Sequence, residues 1–149
     1  MQVTPYNTNQ SKKTQVEDMF DNIAPKYDLL NHVLSMKIDV LWRNNLVKWM
    51  RKDHPKLVLD VATGTGDLAI AVQKGLEAEV VGLDLSQQML NVGIDKIKKI
   101  NLSDKITMVK GDAENLTFED NKFDAVSVAF GVRNFENLEK GLAELRRVV

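Results

Sequence analysis

Polar and glycine residues follow each of the first two apolar runs after residue 56, and their types suit a small charged ligand. After the first run come Gly64, Thr65 and Gly66, where glycine lets the backbone turn tightly and present its amide groups. After the second comes Asp84, whose carboxylate can accept hydrogen bonds from the two hydroxyls of a ribose. A plain strand-to-helix turn would also explain the glycines, and a helix cap would explain Asp84.

Two further apolar runs are followed by donors and acceptors of other kinds. Asp112 can accept a hydrogen bond from an exocyclic amine such as adenine N6, while Ala113 offers a backbone amide to a ring nitrogen. Arg133 and Asn134 supply donors that suit a carbonyl, phenolate or other anionic oxygen. A polar loop would account for the first pair, and a surface arginine beside a helix-capping asparagine for the second.

The elements that must position these residues alternate between strands and helices. The apolar runs predict strands over 57–61, 79–84, 106–109 and 123–130. Helices are predicted over 67–75, from the cap residue Ser86 to residue 97, and over 138–148. This alternation indicates a doubly wound α/β sheet, in which ligands bind beyond the carboxyl ends of the strands.

The chain before the first strand is predicted to be helical after a short tail. We divide the sequence into a flexible tail (1–13), a helical N-terminal cap (14–56) and an α/β domain (57–149). Within the cap, Pro25 should end a first helix, a second should follow, and Asp39 is a candidate cap for a third. The polar tail has no apolar signal segment, so we expect a cytoplasmic protein.

Composition excludes several classes of function. The 149 residues are 44% hydrophobic and 28% charged, which is typical of one soluble globular domain. The chain has no cysteine and two histidines, so neither a thiolate nucleophile nor a metal site is expected. The formal net charge of -1 gives no overall attraction to nucleic acid.

The glycine loop leaves two cofactor classes open. Residues 64–69 (GTGDLA) satisfy the dinucleotide pattern G-x-G-x-x-G/A, and Asp84 follows at the expected spacing, so a nicotinamide-dependent oxidoreductase is an alternative. Asp60, however, ends the first strand and would repel a pyrophosphate, and no basic residue lies between Asp60 and Lys74 to offset it. Asp60, Asp84 and Asp112 together suit the sulfonium and ammonium of S-adenosylmethionine.

Several segments resemble known enzyme families. The segments that resemble class I S-adenosylmethionine-dependent methyltransferases are LDVATGTGD, GLDLSQQML, GDAENLTFEDNKFDAV and ELRRVV. Three others resemble more closely the family that C-methylates the quinone ring of menaquinone and ubiquinone precursors. They are MFDNIAPKYDLLNHVLS at 19–35, the pair Trp42-Arg43, and AFGVRNFENLEKGLAELRRV at 129–148. The YDLLN and FGVRN segments are more specific than the glycine loop.

The resemblance implies a Rossmann-like fold and a role for each matching position. The cofactor S-adenosylmethionine should contact Gly64, Thr65 and Gly66 through its methionine moiety, Asp84 through its ribose, and Asp112 and Ala113 through its adenine. Arg133 should stabilise the phenolate oxygen that develops on the substrate, and Tyr27, Asn31 and Asn134 should complete the substrate pocket. Thr63 and Ala129 depart from the family pattern, which often has glycine or cysteine at the first position and serine at the second.

The implied reaction is methyl transfer to a ring carbon of demethylmenaquinol, a lipid quinol, to give menaquinol. The glycine loop and FGVRNFENL favour the menaquinone branch, while a ubiquinone precursor and a non-catalytic binding module remain alternatives. A lipid substrate implies peripheral contact with the inner face of the membrane through Trp42, Trp49 and Met50, unless these side chains pack in the core. A homo-oligomer is also compatible with the resemblance.

The chain ends in ELRRVV, where we expect a fifth strand to begin. The α/β domain should therefore lack its last strands, and the edge of the fourth strand should be unpaired.

Overall fold

The computed structural model describes residues 5–6, 10–35 and 38–149. The helices are α1 (Lys12–Ile23), α2 (Tyr27–Leu34), α3 (Ile38–Met50), α4 (Asp67–Leu76), α5 (Gln87–Lys99) and α6 (Leu138–Arg147). The strands are β1 (Leu57–Val61), β2 (Glu79–Asp84), β3 (Ile106–Lys110) and β4 (Ala125–Val128). Short 3-10 turns occupy Ala24–Lys26, Arg51–Asp53 and Gly131–Asn134.

The four strands form one parallel sheet in the order β3-β2-β1-β4. Alternate residues of β1 face opposite sides, so that Val58 packs in one core while Leu59 and Val61 pack in the other. All three are fully buried, as expected for a central parallel strand covered on both faces. The predicted doubly wound α/β fold is therefore confirmed, and the carboxyl ends of all four strands meet at one edge.

Helices cover the two faces of the sheet unequally. On one face, α3, α4 and α5 bury Val47, Val72 and Ile97 against the sheet. On the other face, α6 and the segment before β4 bury Leu145 and Phe123. None of the helices in the described part of the chain is both long and apolar enough to cross a bilayer.

Local signals predicted most element boundaries correctly. The Ser86 hydroxyl accepts the backbone N–H of Met89 at 3.1 Å and caps α5, as predicted. Pro25 lies in the 3-10 turn that separates α1 from α2. The predicted cap at Asp39 is wrong, because α3 begins one residue earlier. Asp39 instead accepts a hydrogen bond from the Ser35 hydroxyl at 2.7 Å and pairs with Arg43 at 2.8 Å.

Two boundaries differ from the prediction, one because of a contact distant in sequence and the other because of a local helix cap. Strand β4 is shorter than predicted, since Phe123 donates its N–H to Val148 and Phe130 turns away with a φ of 61°. Helix α1 begins at Lys12, inside the predicted tail, because the Ser11 hydroxyl accepts the N–H of Thr14. Residues 1–4 and 7–9 of that predicted tail lie outside the described residues.

Candidate functional site

Only one of the two glycines in the loop after β1 borders a cavity. Gly64 and Gly66 both have positive φ, 58° and 80°. A Cβ added to Gly64 would lie 3.3 Å from the Met89 side chain, within a cavity wall. Gly66 directly precedes α4 and packs over Met108. Gly64 therefore borders the cavities at the strand ends, whereas Gly66 does not.

The Asp84 carboxylate is oriented by the backbone around it. One oxygen accepts the N–H of Gly64 at 2.8 Å, and the other accepts the N–H of Ser86 at 2.9 Å. Burial raises the pKa of Asp84 above its ordinary value, and the backbone N–H donors of Ser86, Gly64 and Leu85 oppose that rise. Each oxygen keeps a further lone pair, so the side chain can still accept hydrogen bonds from a ligand.

Two adjoining cavities lie at the strand ends. The first, of about 300 Å³, lies between α1 and the residues that follow β2 and β3. The second, of about 400 Å³, lies between α2, α3 and the glycine loop. Among the predicted site residues, Asp84, Asp112, Ala113 and Asn134 border the first cavity and Thr65 borders the second, while Gly64, Tyr27, Asn31 and Arg133 border both.

Helix α1 covers the first cavity and is held there by polar contacts. Lys13 pairs with Asp112 at 2.6 Å, and the other oxygen of Asp112 accepts the N–H of Glu114 at 2.9 Å. The hydrogen bond to Asp112 raises the pKa of Lys13. Glu17 pairs with Lys110 at 2.7 Å. No local sequence pattern marks Lys13 as a site residue, because its partner lies 99 residues away.

Asp60 is a buried acid beside the second cavity. It is 1% exposed and accepts hydrogen bonds from the hydroxyls of Thr63 at 2.6 Å and Ser127 at 2.7 Å. Burial raises the pKa of Asp60 to about 6, against those two hydrogen bonds, and the nearby Asp84 carboxylate adds to the rise. A cation bound in the cavity would favour the ionised form of Asp60 and lower its pKa.

A network of charged side chains joins the helices around the second cavity. Lys96 of α5 pairs with Asp28 of α2 at 2.8 Å and also with Asp67, which lies in the first turn of α4. The Thr65 hydroxyl donates to Asp28 and accepts from Lys96. Arg43 of α3 approaches Asp67 at 3.6 Å. Thr65 is therefore fixed by this network, and the first turn of α4 carries a carboxylate.

The two cavities meet at the turn that follows β4. Arg133 lies in the 3-10 turn Gly131–Asn134, is exposed, and borders both cavities together with Tyr27 and Asn31 of α2. A Cβ on Gly131 would lie 2.3 Å from the Cβ of Ala62, so this turn packs tightly against the glycine loop. The structure thus brings an arginine, a tyrosine and an asparagine to the junction of the cavities.

The fold and this site define a class of protein. The solved structure of the [4+2]-cyclase SpnF superimposes with a TM-score of 0.78 at 25% identity, covering 98% of this chain and 58% of that one. A SAM-dependent methyltransferase from Aquifex aeolicus matches with a TM-score of 0.58 at 28% identity, covering 63% of this chain and 50% of that one. The fold is the Rossmann-like fold of class I S-adenosylmethionine-dependent methyltransferases.

The chain belongs to the ubiE/COQ5 methyltransferase family, whose model matches residues 8–149. It is 51% identical to the demethylmenaquinone methyltransferase of Bacteroides fragilis over 99% of this chain and 60% of that protein. The enzyme of the same name from Porphyromonas gingivalis is 46% identical over 99% of this chain and 61% of its own length. The chain therefore spans about 60% of the length of these curated relatives. The family resemblance inferred from the sequence is confirmed.

Proposed function

We propose that the protein transfers a methyl group from S-adenosylmethionine to a ring carbon of demethylmenaquinol, giving menaquinol. The observation that carries this proposal is the junction of two cavities at Arg133, Tyr27 and Asn31. One cavity has the acids that suit a nucleoside, and the adjoining cavity has room for a second reactant. The names of the Bacteroides and Porphyromonas relatives support the menaquinone branch over a ubiquinone precursor.

The residues around the first cavity fit S-adenosylmethionine. Asp84 has two backbone-oriented oxygens for the ribose hydroxyls, and Asp112 with Ala113 would frame the adenine. The absence of a side chain at Gly64 leaves space beside Met89 for the methionine moiety. Asp60 borders the second cavity, and its ionised form would help to balance the cationic sulfonium where the two cavities meet. The donor and acceptor set therefore matches each part of this cofactor.

The same geometry disfavours a nicotinamide dinucleotide. In dinucleotide-binding folds the pyrophosphate lies at the N-terminus of the helix that follows β1. Here that helix, α4, carries Asp67 in its first turn, and the Asp28 carboxylate lies in the same charged network. Lys96 and Arg43 offset these two carboxylates, but the buried Asp60, whose hydrogen-bond partners are two hydroxyls, would still repel a pyrophosphate. The oxidoreductase alternative is therefore not favoured.

The residues at the junction would position the quinol and stabilise its charge. When bound, S-adenosylmethionine supplies an electrophilic methyl group on a sulfonium. A guanidinium group donates hydrogen bonds and has no acceptor, so Arg133 would stabilise a phenolate oxygen and would not itself take the proton of the ring hydroxyl. Tyr27 and Asn31 project from α2 into the same junction and would orient the ring. Much of the rate enhancement would then come from the alignment of the two reactants.

A lipid substrate also supports peripheral contact of the front helices with a membrane. Trp49 is 73% exposed and borders neither cavity, so it supports this contact, whereas Trp42 is 38% exposed and borders the second cavity. Met50, in contrast, packs against the core next to Val47, so we remove it from the proposed contact face. The helices α1, α2 and α3 would form the helical cap on the α/β domain, and this cap begins at Lys12 and not at residue 14.

Calorimetric titration with S-adenosylhomocysteine tests the cofactor assignment. We expect the protein to bind this ligand and not reduced nicotinamide adenine dinucleotide. Asp84→Ala should weaken binding by about tenfold or more because it removes both ribose acceptors. Asp95→Ala is the matched control, since Asp95 is exposed on α5 and borders neither cavity. Binding of the dinucleotide alone, or an unchanged affinity in Asp84→Ala, would contradict the proposal.

A further inference from the structure

Phe130 has a backbone conformation that does not suit its side chain. Its φ of 61° lies in the left-handed region, which costs energy for any residue with a Cβ and is uncommon for bulky ones. The side chain is also 66% exposed, so burial in the core does not offset that energy. Strained residues of this kind occur often where a side chain contacts a ligand.

The Phe130 ring contacts another exposed aromatic ring at the cavities. The ring centroids of Phe130 and Trp42 are 5.2 Å apart, and the ring planes are inclined by 37°. Both residues border the second cavity, and Phe130 also borders the first. A ligand ring stacked between the two side chains would require their ring centroids to be about 7 Å apart, which is twice the carbon–carbon contact distance. A ligand ring must therefore pack on the outside of the pair.

We propose that Trp42 and Phe130 form an aromatic wall that binds the ring of the quinol substrate by stacking. This inference rests on the proposed function, because it concerns the same second cavity. Arg133 borders the same cavity, so a ring bound there would have a cationic hydrogen-bond donor in the same cavity wall. Glycine would adopt the positive φ of position 130 without strain. A phenylalanine there is accounted for by the contact of its ring with Trp42 and with the substrate ring.

Tryptophan fluorescence reports directly on this wall. The chain has two tryptophans, so Trp49→Phe leaves Trp42 as the only indole, and Trp42→Phe leaves Trp49. The probe is 2-methyl-1,4-naphthoquinone, titrated with S-adenosylhomocysteine present. We expect saturable quenching in Trp49→Phe because the quinone would contact Trp42. We expect only linear, collisional quenching in Trp42→Phe, because Trp49 borders neither cavity.

Substitutions of Phe130 in the Trp49→Phe background test its ring and its backbone separately. Phe130→Ala should raise the dissociation constant of the probe about tenfold, and Phe130→Tyr should retain the affinity, because stacking needs an aromatic ring. Phe130→Gly should bind the probe as weakly as Phe130→Ala does. Its melting temperature should be higher than that of Phe130→Ala, because glycine tolerates the positive φ.

Three results would overturn the aromatic wall: equal quenching of the two single-tryptophan variants, unchanged probe affinity in Phe130→Ala, or no saturable quenching at all. Calorimetry with S-adenosylhomocysteine on the same samples separates this failure from failure of the proposed function. If that ligand binds without quenching by the probe, the wall is wrong and the proposed function stands. If neither ligand binds, both proposals fail.

Discussion

Replacing Asp60 by asparagine should stabilise the folded protein near neutral pH. Burial raises the pKa of Asp60 from 3.8 to about 6, so its ionised form is disfavoured in the folded state. At pH 7 this corresponds to about 3 kcal/mol of lost stability. Asparagine has no charge, and the Thr63 and Ser127 hydroxyls can rotate to accept as well as donate hydrogen bonds. We therefore expect Asp60→Asn to gain roughly 1–3 kcal/mol.

The effect should depend on pH in a defined direction. Because the folded state holds the Asp60 proton more tightly than the unfolded chain, the contribution of Asp60 to wild-type stability falls as pH rises from 3.8 to about 6 and is then constant. The advantage of Asp60→Asn should thus be full above about pH 6 and nearly absent at about pH 4. Urea unfolding of both proteins at about pH 4.5 and about pH 7.5 measures this difference.

Asp124 provides a control at the other end of β1. Its carboxylate accepts the N–H groups of Leu57 and Lys56, and these hydrogen bonds lower the pKa of Asp124. Asp124→Asn should therefore destabilise the protein at neutral pH, with the loss disappearing as pH falls through the lowered pKa. An Asp60→Asn protein that is less stable than wild type at both pH values, or a stability difference independent of pH, would refute the reasoning about Asp60.

Three further predictions concern two residues of the turn after β4 and one residue of α6. Arg133→Ala should lower turnover by about 100-fold while S-adenosylhomocysteine affinity stays within about threefold by calorimetry; an equal loss of both would exclude a role in the chemistry. Gly131→Ala should destabilise the protein by roughly 1–3 kcal/mol in thermal melts, because the added methyl would lie 2.3 Å from Ala62, and an unchanged melting temperature would mean that the turn can move. Arg147→Ala should lower the melting temperature, because Arg147 pairs with Glu144 and donates to the carbonyls of Leu116 and Phe118; Arg146→Ala, on the same helix turn, is the control that should not.

Features that depend on nearby residues could be predicted from the sequence. The four strands follow from short apolar runs, and the cap at Ser86 follows from a hydroxyl just before a helical pattern. The placement of Asp84, Asp112 and Ala113 beside one cavity follows from the rule that ligand sites lie beyond the carboxyl ends of parallel strands, which meet at one edge of the sheet. For these residues, sequence spacing and sheet topology were enough to predict that they lie close together.

Contacts between distant segments could not be predicted in the same way. Lys96 and Asp28 are 68 residues apart, and their pairing depends on how α2 packs beside α5. Gly66 shows a second limit, because the loop motif specifies residue types but not which face of the loop meets the cavity. The left-handed Phe130 had no local signal, since Gly131 beside it is the residue normally expected to take a positive φ.

Transfer of a labelled methyl group from S-adenosylmethionine tests the central claim most directly. The protein is incubated with demethylmenaquinone in detergent micelles, either chemically reduced to the quinol or left oxidised. We predict ring-methylated product from the quinol and none from the quinone, because a ring carbon becomes nucleophilic only beside an ionising hydroxyl. Failure to methylate the quinol by protein that binds S-adenosylhomocysteine, or equal methylation of both forms, would contradict the account.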